Sequence, residues 1–205
     1  MSITRVKASS ITQGLPKGKT ALTGNEVSMP GSFESIATIT ASGSSTSFTF
    51  GSIPSGYKHL QIRTFLQATG PPTAATYGGW TRINGDTGAN YSYHGMYPEP
   101  SGSTTTAYGS ASTTTLNGIS YTTADATSIF GSTIIDILDY TDTNKYKTVR
   151  MFGGADINAA AYALNYASGV WRSTAAITSF TLEINTGFGS YNLTSDSKAY
   201  LYGIK

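Results

Sequence analysis

The chain has 205 residues, 13 Lys/Arg against 11 Asp/Glu, a formal charge of +2 and no cysteine. Disulfides and thiolate metal sites are therefore excluded, and the net charge is too small to argue for nucleic acid. No apolar run approaches the roughly 18–20 residues needed to span a bilayer.

Charged residues make up only 12% of the chain, about half the usual share, while aromatics also reach 12%, with fourteen tyrosines. Gly, Ser and Thr dominate the rest. This is the composition of a β-protein with many turns. Its aromatic and β-branched residues suffice for a core, so the chain as a whole is not disordered.

The first twenty-five residues contain Arg5, Lys7, Lys17 and Lys19 and no acid. Apolar residues there are spread thinly, with Ile3, Val6 and Ile11 the first of them. Such a stretch cannot bury enough surface to fold alone. Residues 1–30 are therefore expected to form an extended basic arm that anchors the protein on a partner, through Ile3, Arg5, Val6, Lys7, Ile11, Lys17 and Lys19. No apolar core follows the basic residues, so the arm does not read as a secretory leader.

From residue 31 onward, short β-rich runs recur between Gly, Pro, Asn and Asp. Phe33 to Ala41 comes first, with Phe33, Ala37, Ile39 and Ala41 assigned to one face. Thr46 to Phe50 follows. The turn Ile53-Pro54-Ser55-Gly56 leads into Lys58 to Gln67, where Leu60, Ile62 and Leu66 share a face. Tyr77 to Asn84 closes at Asn84-Gly85-Asp86, and Asn90 to Tyr97 comes next. Pro98 to Thr115 is nearly all Ser, Thr, Gly, Pro and Tyr and reads as a long surface loop. Strands resume at Leu116 to Tyr121, Ser132 to Tyr140, Lys145 to Phe152, Ala161 to Arg172, Ile177 to Asn185 and Lys198 to Lys205. No segment keeps helical spacing for three turns. The pattern predicts an all-β fold, a jelly-roll-like β-sandwich over residues 31–205 behind the arm. Few charges guard its edges, and the last strand is expected to be one of them, which favours a homo-oligomer.

Catalytic chemistry finds little support. There is no Gly-x-Ser-x-Gly elbow, no phosphate-binding loop and no His-Glu-x-x-His. Asp136 and Asp139, three apart in a strand, are expected on opposite faces and do not pair as glycosidase acids. Asp139, Asp142 and Asn144 have the spacing of an Asx-stabilised turn rather than of a calcium loop. His59 and His94 stand apart, without the partners a zinc site needs. No enzyme activity, cofactor or metal is expected. The aromatic residues are the better signal. Tyr77, Trp80, Tyr91, Tyr93, Tyr97 and Tyr108 gather in sequence around the Ser/Thr-rich stretch, where Tyr rings suit sugar faces or protein surfaces, and Trp80, Tyr93, His94, Tyr97 and Tyr108 are the expected contacts.

Several motifs carry a resemblance. They are Phe33-Glu-Ser-Ile-Ala-Thr, Ile53-Pro-Ser-Gly-Tyr-Lys-His-Leu-Gln-Ile-Arg63, Asn84-Gly-Asp-Thr-Gly-Ala-Asn-Tyr91, Asp136-Ile-Leu-Asp-Tyr-Thr-Asp-Thr-Asn-Lys145, Trp171-Arg-Ser-Thr-Ala-Ala-Ile-Thr-Ser179 and Leu201-Tyr-Gly-Ile-Lys205. In this order they resemble virion structural proteins of tailed bacteriophages, especially phages of cyanobacteria and other aquatic bacteria. The resemblance spans Phe33 to Lys205 and implies a non-enzymatic module, assembled in the bacterial host cytoplasm and exposed on the particle surface. It implies a short tail fibre or knob acting in host adsorption, with capsid decoration (a cement protein on the head) as the alternative. The partners implied are other virion proteins (baseplate, tail or major capsid protein) through the arm, two further copies in a homotrimer, and a host surface glycan at the aromatic cluster. Neither nucleic acid nor a membrane span is among them.

Overall fold

Alternation in the stretch beginning at His59 becomes a strand buried on one side: Leu60, Ile62, Thr64 and Leu66 are all buried, while Arg63 and Phe65 point outward to solvent. The same period-two logic builds the rest. The computed structural model describes residues 32–70, 76–98, 104–123, 128–156, 162–184 and 191–205. The anchoring arm expected over residues 1–30 lies outside them. The described strands are β1 (Phe33–Thr40), β2 (Ser47–Phe50), β3 (His59–Ala68), β4 (Thr76–Ile83), β5 (Tyr91–Pro98), β6 (Thr105–Thr113), β7 (Leu116–Thr123), β8 (Gly131–Ile137), β9 (Lys147–Asp156), β10 (Tyr162–Trp171), β11 (Phe180–Glu183) and β12 (Lys198–Ile204). No helix occurs among the described residues.

Two antiparallel sheets pack face to face, the β-sandwich that the composition leads one to expect. The large sheet runs β1-β12-β3-β8-β9-β10-β5-β6, and the small one runs β2-β11-β4-β7. They join at one corner, where the end of β3 pairs in parallel with β7 through Gln67–Thr122 and Ala68–Thr123. The core lies between them. Leu60, Ile62, Ile135, Ile137, Val149, Met151, Trp171 and Leu201 of the large sheet meet Phe48, Phe50, Ile83, Leu116, Ile119, Phe180 and Leu182 of the small one.

Turn chemistry explains the chain reversals. Asn84 and Gly85 both take positive φ (53° and 65°), and Asp86 N–H donates to the Ile83 carbonyl at 2.9 Å. This is the Asn84-Gly85-Asp86 turn that the sequence places at the end of the strand, and it passes the chain between sheets rather than closing a hairpin: β4 pairs with β11 and β7, and β5 with β10 and β6. Asn84 also clamps a distant loop: its Oδ1 accepts from Thr178 N (2.8 Å) and Ser179 N (3.0 Å), and its Nδ2 donates to the Ala176 carbonyl (2.8 Å). Asn144 N–H donates to Asp142 Oδ1 at 2.8 Å, the expected Asx turn. The Asp86 carboxylate accepts from Trp171 Nε1 at 2.7 Å, and this bond leads the causes that hold its pKa below the ordinary value.

Four sequence expectations need correction. Pro98 to Thr115 is not a single long loop: β6 occupies Thr105–Thr113 and pairs along β5. β6 is the outer strand of the large sheet and its residues are exposed or half-buried. It therefore lacks the apolar alternation that marks a strand with one dry face. Phe33 does not share a face with Ala37, Ile39 and Ala41. A register shift between Ser35 and Ala37 moves Phe33 to the outer side, as an extra residue flips the alternation. β12 is not an edge, because β1 and β3 pair on its two sides. Asp139 is not on a strand, because β8 ends at Ile137 and Asp139 turns the chain with φ 46°.

Asp139 collects charge. Lys145 Nζ lies 2.5 Å and Lys58 Nζ 3.2 Å from its carboxylate, and its N–H donates to His59 Nδ1 at 2.9 Å. The hydrogen bonds from Lys145 and Lys58 hold its pKa at about 2. The folded value lies below the unfolded one, so the stabilisation is present above about pH 4 and fades as pH falls toward 2. Asp139→Asn keeps the turn, since Asn tolerates positive φ. Urea midpoints of the two proteins are expected to differ at neutral pH and to converge in strong acid. A gap that stays constant with pH would show that the carboxylate charge contributes nothing.

Candidate interaction face

The outer side of the large sheet carries large apolar side chains that nothing among the described residues covers. Phe65, Met96, Ile134, Phe152, Leu164 and Tyr166 are exposed, from 41% (Ile134) to 53% (Phe152). Register brings them together. One cross-strand row runs Tyr200–Arg63–Ile134–Phe152–Tyr166–Met96 over β12, β3, β8, β9, β10 and β5. The next row runs Lys198–Phe65–Ser132–Gly154–Leu164. Aromatic contacts run within and between the rows: Phe152 and Tyr166, neighbours in the first, lie 6.5 Å apart between centroids, and Phe65 of the second meets Tyr200 of the first edge-on at 6.5 Å. Near β1, Phe33 stacks on Tyr202 at 4.7 Å with the Arg63 guanidinium 5.2 Å from the Phe33 ring.

Relief on this face follows from side-chain size. Ser132 and Gly154 are the small members of their row, with Phe65 and Leu164 at its two sides. Above them is an open hollow of about 450 Å³, bounded also by Ile134 and Phe152. A second hollow of about 350 Å³ lies beside Phe152 and Tyr166, with Gln61, Asp136 and Arg150 on its polar side. There Gln61 Nε2 donates to Asp136 Oδ1 at 2.9 Å, and Arg150 lies 3.9 Å from Asp136.

The aromatic residues singled out from the sequence do not form one site. Tyr93, Tyr97 and Tyr108 do come together on the β5–β6 hairpin, with centroids 6.0 Å (Tyr93–Tyr108) and 5.9 Å (Tyr97–Tyr108) apart. Tyr108 is committed to packing. Its hydroxyl donates to Asn165 Oδ1 at 2.6 Å, and burial pushes its pKa up. Its ring lies so close to Gly95 that a Cβ there would sit 2.4 Å from Tyr108 Cζ. His94 points from the other face of β5, its ring over Gly109. Trp80 is half-buried on β4 in the small sheet, opposite Asn117 and Glu183. Tyr91, also close by in sequence, is fully buried and bonds the Ile83 backbone.

Sequence reasoning missed the exposed band. A signal was present: Phe65-Leu66, Ile134-Ile135 and Met151-Phe152 place apolar residues on both faces of a strand. Strands of that kind are usually covered on both sides. Here only the inner side is covered within the described residues.

Among the described residues no group of three or more His, Cys, Asp or Glu could hold a metal ion. No family model matches the chain, and no curated protein and no solved structure matches it either.

Proposed function

We propose that this chain is a structural protein of a tailed-phage particle, a β-sandwich displayed at the particle surface and held there by its N-terminal segment. The observation that carries the reading is the exposed apolar face. Small-molecule sites are concave and enclose their ligand, whereas this face is broad and its hollows are open. An exposed apolar area of this kind suits a protein surface. The motif resemblance supplies the phage setting, and the acid-free basic residues 1–25 supply a segment suited to docking on a larger assembly.

A short tail fibre or knob is one seat for such a module, and capsid decoration is the other. The face favours packing on protein over gripping a glycan, and Tyr108 is occupied with packing of its own. Both observations raise the decoration seat beside the fibre seat.

The test is incorporation. The full chain is expected in purified particles by mass spectrometry. A version lacking Met1–Asn25 is expected to fold, by circular dichroism, and to be absent from them. Normal incorporation of the truncated protein would remove the anchoring role. Imaging of particles with the chain labelled then reads the seat, as density on the tail or over the head.

A further inference from the structure

We infer that the outer face of the large sheet is a self-association surface, taking a second copy of this chain in a two-fold, face-to-face pair. The inference stands on the face alone and does not rest on the virion reading. An isologous contact requires one surface to carry both halves of the fit, and this surface does. The Phe152 ring protrudes, 53% exposed, and the hollow over Ser132 and Gly154 lies directly beside it. A two-fold axis close to Phe152 can place the ring of each copy over the hollow of the other.

Charge is self-complementary in the same way. Arg150 and Asp136 sit side by side on the face, half- and one-third-exposed and separated by 3.9 Å. At that length the pair within one copy is a loose one, and it can be exchanged for a shorter pair between Arg150 of one copy and Asp136 of the other. A face of a single sign would repel its own copy.

The size is sufficient. Five neighbouring strands at about 4.8 Å spacing make a face about 24 Å wide, and strands of this length run about 30 Å. That gives about 700 Å² per copy, close to the roughly 800 Å² per partner of a stable interface. Sheets stacked in this way lie about 10 Å apart with their strands crossing at about 30°. A two-fold pair also departs from the homotrimer that the resemblance implies, because this face answers itself under a two-fold rotation.

The test uses the full chain. Analytical ultracentrifugation is expected to show a pair at micromolar concentration. Phe152→Glu is expected to raise the dissociation constant by at least about 30-fold, the effect of losing an aromatic anchor at an interface centre. Its circular dichroism spectrum should be unchanged, because the side chain is already wet. Leu164→Lys, at the far side of the hollow, repeats the test independently. The chain has no cysteine, so Ser132→Cys gives a single attachment point on the face. Its reaction with a maleimide is expected to slow as protein concentration rises and the ring of the other copy covers the hollow, whereas Thr49→Cys on the small sheet should react at one rate throughout. A monomer at these concentrations, a trimer, or a pair that survives both face substitutions would each overturn the inference.

Discussion

Phe180→Ala is expected to lower the stability by about 3–5 kcal/mol, while Phe152→Ala is expected to lower it by under about 1 kcal/mol. The two substitutions remove the same atoms from the same residue type. Only the face differs. Phe180 lies on the inner side of β11, between β2 and β4, and is fully buried. Truncation there leaves a cavity among Phe50, Ile83 and their neighbours, and β11, held by pairing on both sides, cannot shift to fill it. Phe152 lies on the outer side of β9 with half its surface already in water. Any further loss at Phe152 comes through association and therefore grows with protein concentration. Urea midpoints of both variants at two protein concentrations check the contrast. Equal losses at both positions would mean that the outer face is covered within one copy of the chain.

The strands that were legible in the sequence are those with one dry face. Leu60, Ile62 and Leu66 announce β3 because every second residue must be apolar there. β6 has no dry face, so Thr105–Thr113 carries no such signature and reads as a Ser/Thr-rich loop. Phe33 was assignable only by extrapolating the alternation of β1, and the register shift at Ile36 breaks that extrapolation. The candidate site was less legible still. Tyr93, Tyr97 and Tyr108 meet because β5 and β6 are hairpin neighbours, a relation that sequence proximity captures. Trp80 is equally near in sequence, but β4 pairs with β11 and β7 and so belongs to the other sheet. The exposed band depends on the order of β3, β8, β9, β10 and β5, which non-local pairing sets. Its residues come from segments as far apart as Phe65 and Tyr166, and no local pattern links them.

Lys147→Met is expected to destabilise the fold by about 2–4 kcal/mol near neutral pH, a large effect for the loss of one lysine. The side chain turns inward at the start of β9 and is fully buried. Its ammonium donates to the backbone carbonyls of Asp142, Lys145 (3.0 Å) and Thr174 (3.1 Å), which uses all three of its donors. These bonds fasten the turn after β8 and the segment after β10 onto one point. Methionine matches the length but donates nothing, so three carbonyls lose their partner at once. Desolvation acts the other way: burial pushes the Lys147 pKa below its ordinary value. The folded state therefore binds this proton more weakly than the unfolded chain does. Between the folded and unfolded pKa values the unfolded chain holds the extra proton, so the contribution of Lys147 to stability rises with pH. The difference between the native protein and Lys147→Met is thus expected to widen in alkaline solution, measured as urea midpoints of both proteins at neutral and alkaline pH. A difference that shrinks with rising pH would mean that the three bonds of the ammonium outweigh its desolvation, because the neutral amine keeps only two donors.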